Sequence, residues 1–154
     1  MDIHDLEQII AEHPLLAGLD SSFTGTLVGC AGNMRFKPDQ YIFREGEEAN
    51  QFYLIRGGRV SLELRAPQKK PIIIETLDAG DILGWSWLLP PYVWKFDARA
   101  TTATSLIGLD AKCLRTKCEE SHDLGYEVLK RFSQIVERRL EATRLQLLDL
   151  YAAN

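Results

Sequence analysis

Residues 41–58, YIFREGEEANQFYLIRGG, decide how the rest of the chain is read. Two β-rich runs, YIFR and QFYLIR, flank a polar segment containing Gly46 and Asn50, and Gly57 and Gly58 close the second run. β-branched and aromatic residues bounded by turn formers predict strands, and glycine at such boundaries admits a positive φ or a close strand approach that a Cβ would block. The same punctuation extends in both directions: NMRF before it, then RVSLEL, PIIIETL, DARATTA and SLIGLD after it. Short strands at this regular spacing predict an antiparallel barrel or sandwich, and no helical insertion interrupts them as parallel βαβ units would require.

Helical patterns flank the β region. Ile3, Leu6, Ile9 and Ile10 recur at helical spacing in residues 3–13, ahead of Pro14. A second helix is predicted over residues 21–32, with Ser21 or Ser22 as N-cap and Gly32 near its end. Asp110 is a plausible N-cap for a helix over 111–121. Residues 123–151 then predict one long helix of roughly 43 Å at the helical rise. Its Leu129, Phe132, Val136, Leu140, Thr143, Leu147 and Leu150 are spaced by threes and fours, a coiled-coil seam that predicts a homodimer through this helix; packing on the chain's own β region is the other reading. The expected division is 1–32 N-terminal helices, 33–110 β region and 111–154 C-terminal helices, all in one domain.

Composition narrows the function. With 45% hydrophobic and 26% charged residues in 154, and no apolar run near the ~18 residues a membrane span needs, the expectation is a soluble cytoplasmic protein without membrane partners. The acidic start MDIHDLEQII does not resemble a secretory signal. A net charge of −4 supplies no basic field for direct nucleic-acid binding. Cys30, Cys113 and Cys118 contain no CxxC pair, and His4, His13 and His122 are scattered, so no metal site is expected. Cys113 and Cys118 read as inert helix residues or as a redox pair. No catalytic spacing is present, so no catalytic residues are assigned and an enzyme is not expected.

Helical pair, β region and long C-terminal helix follow the order of the cyclic-nucleotide-binding domain, and the residues of 41–58 carry the resemblance further. Ile42, Gly46, Glu47, Ala49, the run Phe52-Tyr53-Leu54-Ile55 and Gly58 resemble that family's first signature at every spacing, with Phe43 bulkier than usual. LDAGDILG resembles the approach to the family's phosphate-binding cassette, and RRLEATR the part of its C-terminal helix that leans over the nucleotide base. The resemblance implies a mainly β fold with flanking helices, an antiparallel, jelly-roll-like β-roll. It also implies a regulatory role, and it ends before any counterpart of the helix-turn-helix found in the transcription factors.

The cassette itself departs from the family. There it reads Leu-Gly-Glu-x-small-Leu and then Arg-small-Ala, so that backbone N–H groups and one Arg hold the cyclic phosphate while the Glu accepts the ribose hydroxyl. Here LGWSWL keeps Leu83, Gly84 and Leu88, but Trp85 stands for the Glu and Trp87 for the small residue, with Ser86 between them. Aligned without gaps from TATSLIGLD, Trp94, Lys95 and Phe96 fall on Arg-small-Ala; a gap would instead bring Arg99 into the phosphate role. Loss of a buried phosphate's charge partner costs about 3–5 kcal/mol, or some two to three and a half orders of magnitude in affinity. Lys95 and Arg144 could reach an anion, but a lysine offers a point charge where the family has a planar fork.

Two functional expectations follow. In the first, Leu83, Gly84, Trp85, Ser86, Trp87, Trp94, Lys95, Arg99, Thr143 and Arg144 line a diverged ligand site. The chain is then a sensor for a small ligand, with cAMP or cGMP the cofactor the resemblance implies, and it signals through a separate effector protein. In the second, the indoles fill the old site and the chain is a ligand-free interaction dimer. A redox or haem sensor is a third. Thr143 either fixes the seam's register or faces a ligand, while Arg138 and Arg139 are expected in solvent or paired with Glu137 and Glu141.

Overall fold

The computed structural model describes residues 3–29 and 31–153; Cys30 and the side chains of Ile3, His4, Ser22, Phe23 and Thr26 lie outside the described part. Helix α1 (Ile3–Glu12) buries Leu6 and Ile10, and a turn through Pro14 leads to α2 (Ser21–Gly29). Eight strands follow: β1 (Gly32–Phe36), β2 (Tyr41–Phe43), β3 (Gln51–Gly57), β4 (Arg59–Leu64), β5 (Ile72–Asp78), β6 (Ile82–Leu83), β7 (Asp97–Ala100) and β8 (Thr104–Asp110). Each run expected from sequence is a strand. Gly32 is corrected: it opens β1 and does not end α2, because its backbone joins the ladder opposite Gly108. β6 was not anticipated, since two residues are too short to show periodicity.

The strands form two antiparallel four-stranded sheets, ordered β1-β8-β3-β6 and β2-β7-β4-β5. Phe52, Leu54, Val60, Leu62, Leu106, Ile107 and Leu109 are buried in the core they share with the helices. Near-continuous burial of β3, β4 and β8 explains why their sequences read as apolar runs rather than alternations. Gly58 turns β3 into β4 at φ +91°, where a Cβ would collide with the Ala103 carbonyl oxygen. This is the antiparallel β-roll implied by the resemblance.

Asp110 caps α3 (Ala111–Glu120) by accepting the amide hydrogens of Lys112 and Cys113. Ser121 caps α4 (His122–Ala152), 31 residues long. One face of α4 buries Val128, Phe132, Ile135 and Arg139 against the roll, while Leu129, Val136, Leu140, Leu147 and Leu150 stay exposed. Phe132 therefore leaves the expected seam: it serves the chain's own core. No helix among the described residues is long and apolar enough to cross a membrane.

Candidate functional site

The cassette starts where β6 pairs with β3, Leu83 opposite Tyr53, and both β6 residues are buried. Gly84 then takes φ +103°, and one 3-10 turn (Ser86–Leu88) reverses the chain. The turn residues differ sharply in what they touch. Trp87 is fully buried, 5.3 Å from Phe52 and edge-on to Phe132 of α4 at 5.0 Å, so it ties cassette to helix through ring packing. Arg115 of α3 donates to the Trp87 carbonyl oxygen at 2.6 Å and lies 4.0 Å over the Tyr92 ring, bracing the same turn from the other side.

Trp94 is the residue that the ungapped reading sets on the family's phosphate-binding arginine. Its indole is 2% exposed, stacks on Phe43 at 3.8 Å with an 8° interplanar angle, and covers Gly84 so closely that a Cβ there would lie 2.6 Å from the ring. Its backbone is locked to the first signature: Trp94 N–H donates to the Glu47 carbonyl, and Gly46 N–H to the Trp94 carbonyl. Phe96 lies 5.7 Å from Phe43 and is also buried. Beyond it, the buried Asp97 carboxylate accepts the Glu45 amide at 2.7 Å and faces Arg44 and Arg65.

The roof of the site is a residue the sequence reading assigned elsewhere. Arg139 is buried, corrected from its expected place in solvent or beside Glu137 and Glu141. Its Nε donates to Glu75 of β5 at 2.8 Å, and its guanidinium lies 5.1 Å from the Phe96 ring centre and 5.9 Å from that of Trp85. Burial lowers the proton affinity of Arg139, and Glu75 works against that. Its register was the available signal: Arg139 sits four residues after Ile135 and seven after Phe132, on the buried face of α4. Trp85 is half-buried beneath it. The indole N–H of Trp85, the Ser86 hydroxyl and one Arg139 Nη find no hydrogen-bond partner among the described residues.

Leu83, Gly84, Trp85, Ser86, Trp87 and Trp94 are thus brought together, whereas the remaining expected residues stand apart. Lys95 and Arg144 are exposed. Thr143 is exposed too, and its hydroxyl donates to the Arg139 carbonyl of its own helix. Arg99 is engaged on β7: it donates to the buried Glu63 at 2.8 Å and to Asp39 at 2.6 Å. Burial of Glu63 acts to raise its pKa, but hydrogen bonds from Arg99 and Ser61 outweigh it and hold the carboxyl below its ordinary range. On α3, burial and Glu119 push the Cys118 thiol upward, the opposite of what a reactive thiolate needs.

Comparison with known proteins agrees with this architecture. The model of the cyclic nucleotide-binding domain matches residues 33–121, more than half of the chain. The CRP-like cAMP-activated global transcriptional regulator of Mycobacterium tuberculosis is 23% identical over 145 residues; the match covers 94% of this chain and 63% of that relative. Among solved structures, one of the cyclic nucleotide-binding type from Geobacter metallireducens GS-15 superposes with a TM-score of 0.77 at 22% identity, covering 91% of this chain and 98% of that one. The regulatory subunit of a cAMP-independent protein kinase A from Trypanosoma brucei gives 0.68 at 26% identity, covering 86% and 47%. A triple-substituted form of that subunit, bound to cAMP, gives 0.71 at 26%, covering 94% and 51%. The matched residues, the two-sheet roll and the helix laid over the cassette make this chain a member of the cyclic nucleotide-binding domain family.

Proposed function

We propose that this is a non-enzymatic regulatory domain whose cassette and C-terminal helix are held together by its own side chains instead of a nucleotide. Of the two expectations from sequence, the filled site is the better supported. One observation carries it: the Trp94 indole lies on Gly84 and against Phe43, where a cyclic phosphate and its arginine would need to be. Burial of an indole in such a stack is worth about 3–5 kcal/mol when lost to alanine, enough to favour one arrangement without ligand. That the Trypanosoma subunit belongs to a cAMP-independent protein kinase A supports the idea that this fold can regulate without cAMP. The exposed apolar face of α4 supports a homodimer, through which the domain would act on a separate effector. Kinship with a transcriptional regulator and a kinase subunit supports a cytoplasmic site of action.

Calorimetry and thermal shift with cAMP and cGMP up to about 1 mM test this, since millimolar binding corresponds to only about 4 kcal/mol. The expected result is no heat and no change in Tm, whereas W85E/W94R, which restores a hydroxyl acceptor and a phosphate fork, gains cAMP binding. Micromolar binding to the wild-type chain would overturn the reading.

The sensor reading keeps one supporting observation, the unpartnered donors on Trp85, Ser86 and Arg139. Buried donors left unpaired cost roughly 1–3 kcal/mol each, and an acceptor-rich ligand entering beside Arg139 would relieve that. Such a ligand would shift the fluorescence of Trp85, which separates the two readings.

A further inference from the structure

A second device lies outside the cassette. The turn after α1, the β5–β6 turn and α4 together line a groove of about 580 Å³. His13 sits at its head. One ring nitrogen, Nε2, is 2.7 Å from the Gly80 carbonyl oxygen, and the other, Nδ1, accepts the Leu15 amide hydrogen at 3.1 Å. A carbonyl cannot donate and a backbone amide cannot accept, so the two partners fix the neutral tautomer with its hydrogen on Nε2. From the other side, Arg131 of α4 donates to the carbonyl oxygens of Leu15 and Ala17 at 2.9 and 2.6 Å. Three parts of the fold therefore meet on residues 13–17: the N-terminal helices, the turn that feeds the cassette and the C-terminal helix.

We infer that His13 is a proton-sensitive clasp, closed when the ring is neutral and opened by protonation. A proton on Nδ1 would face the Leu15 N–H, so that bond must break, while the Gly80 bond could persist. A charged ring would share this groove with Asp81 of the β5–β6 turn and Glu137 and Glu141 of α4, which attract it, and with Arg138 of α4, which repels it, while Arg131 adds a second positive charge at the Leu15 and Ala17 carbonyls. The released ring would turn toward the carboxylates and slacken the N-terminal turn against α4. Protonation of the ring thus becomes an input to the packing of α4, independent of whether any nucleotide binds.

NMR titration of the isotopically labelled full chain tests this. The Leu15 and Asp81 amides are expected to shift with the same midpoint as the His13 ring. Exchange of the Leu15 amide should accelerate about five- to tenfold on acidification beyond its intrinsic chemical rate, as befits one lost hydrogen bond. His13→Asn can accept the Leu15 amide through its side-chain oxygen but does not titrate, so both effects should vanish in it. Static Leu15 and Asp81 signals while the ring titrates would overturn the proposal. So would identical shifts in H13N, which would assign them to Asp81, Glu137 and Glu141.

Discussion

Gly84 and Trp94 are interdependent. Glycine is required twice over at position 84, by φ +103° and by the indole resting where a Cβ would go. Gly84→Ala combines backbone strain with overpacking, and we expect it to lower stability by about 2–4 kcal/mol in urea unfolding, with a broadened or shifted tryptophan emission. The sequence placed both residues on the cassette, but not against each other. Their contact depends on the path of the loop between them, which Pro90 and Pro91 punctuate without defining.

Arg99 illustrates the same limit with a pH consequence. A gap in the alignment would have made it a phosphate ligand, yet it serves Glu63 on the neighbouring strand, where β4 and β7 pair. The folded carboxyl of Glu63 titrates below its unfolded value of about 4.3. Its contribution to stability is therefore fully present above that value and is lost as pH falls through the lowered folded value. Urea midpoints should show E63Q less stable than wild type at pH 6, with the gap narrowing toward pH 3. A constant gap would mean that the Glu63 charge contributes nothing.

At the scale of elements, α4 divides its work between two faces. Val128, Phe132, Ile135 and Arg139 hold it to the roll, while Leu129, Val136, Leu140, Leu147 and Leu150 face outward. Leu140 and Leu147 are 51% and 53% exposed, costly for a helix that remains alone in water. If that face pairs with a second copy, L140E/L147E removes four buried leucines per dimer and, at about 1.5 kcal/mol each, should weaken association by roughly ten-thousandfold. Sedimentation velocity reads this directly. An unchanged sedimentation coefficient for the variant would remove α4 as the dimer contact. The threes-and-fours spacing was legible from sequence because it is local. That Phe132 belongs inward was not, because Trp87 and Phe52, which receive it, come from distant segments.

For the molecule as a whole, the β runs, their turn residues, the capping residue Asp110 and the length of α4 follow from the sequence alone, whereas Ser121, read as the end of the preceding helix, turns out to cap α4. Each feature read from sequence rests on neighbours in the chain: β-branched and aromatic runs, φ preferences and short-range hydrogen bonds. The candidate site could also be proposed from sequence, since Leu83, Gly84 and Leu88 survive around the substituted tryptophans. What occupies the site was decided only by tertiary structure. Trp94 meets Phe43, Arg139 meets Glu75 and Arg99 meets Glu63 across loops and sheets. Which of several plausible partners a buried charge or ring finds is a matter of packing and desolvation, not of spacing along the chain.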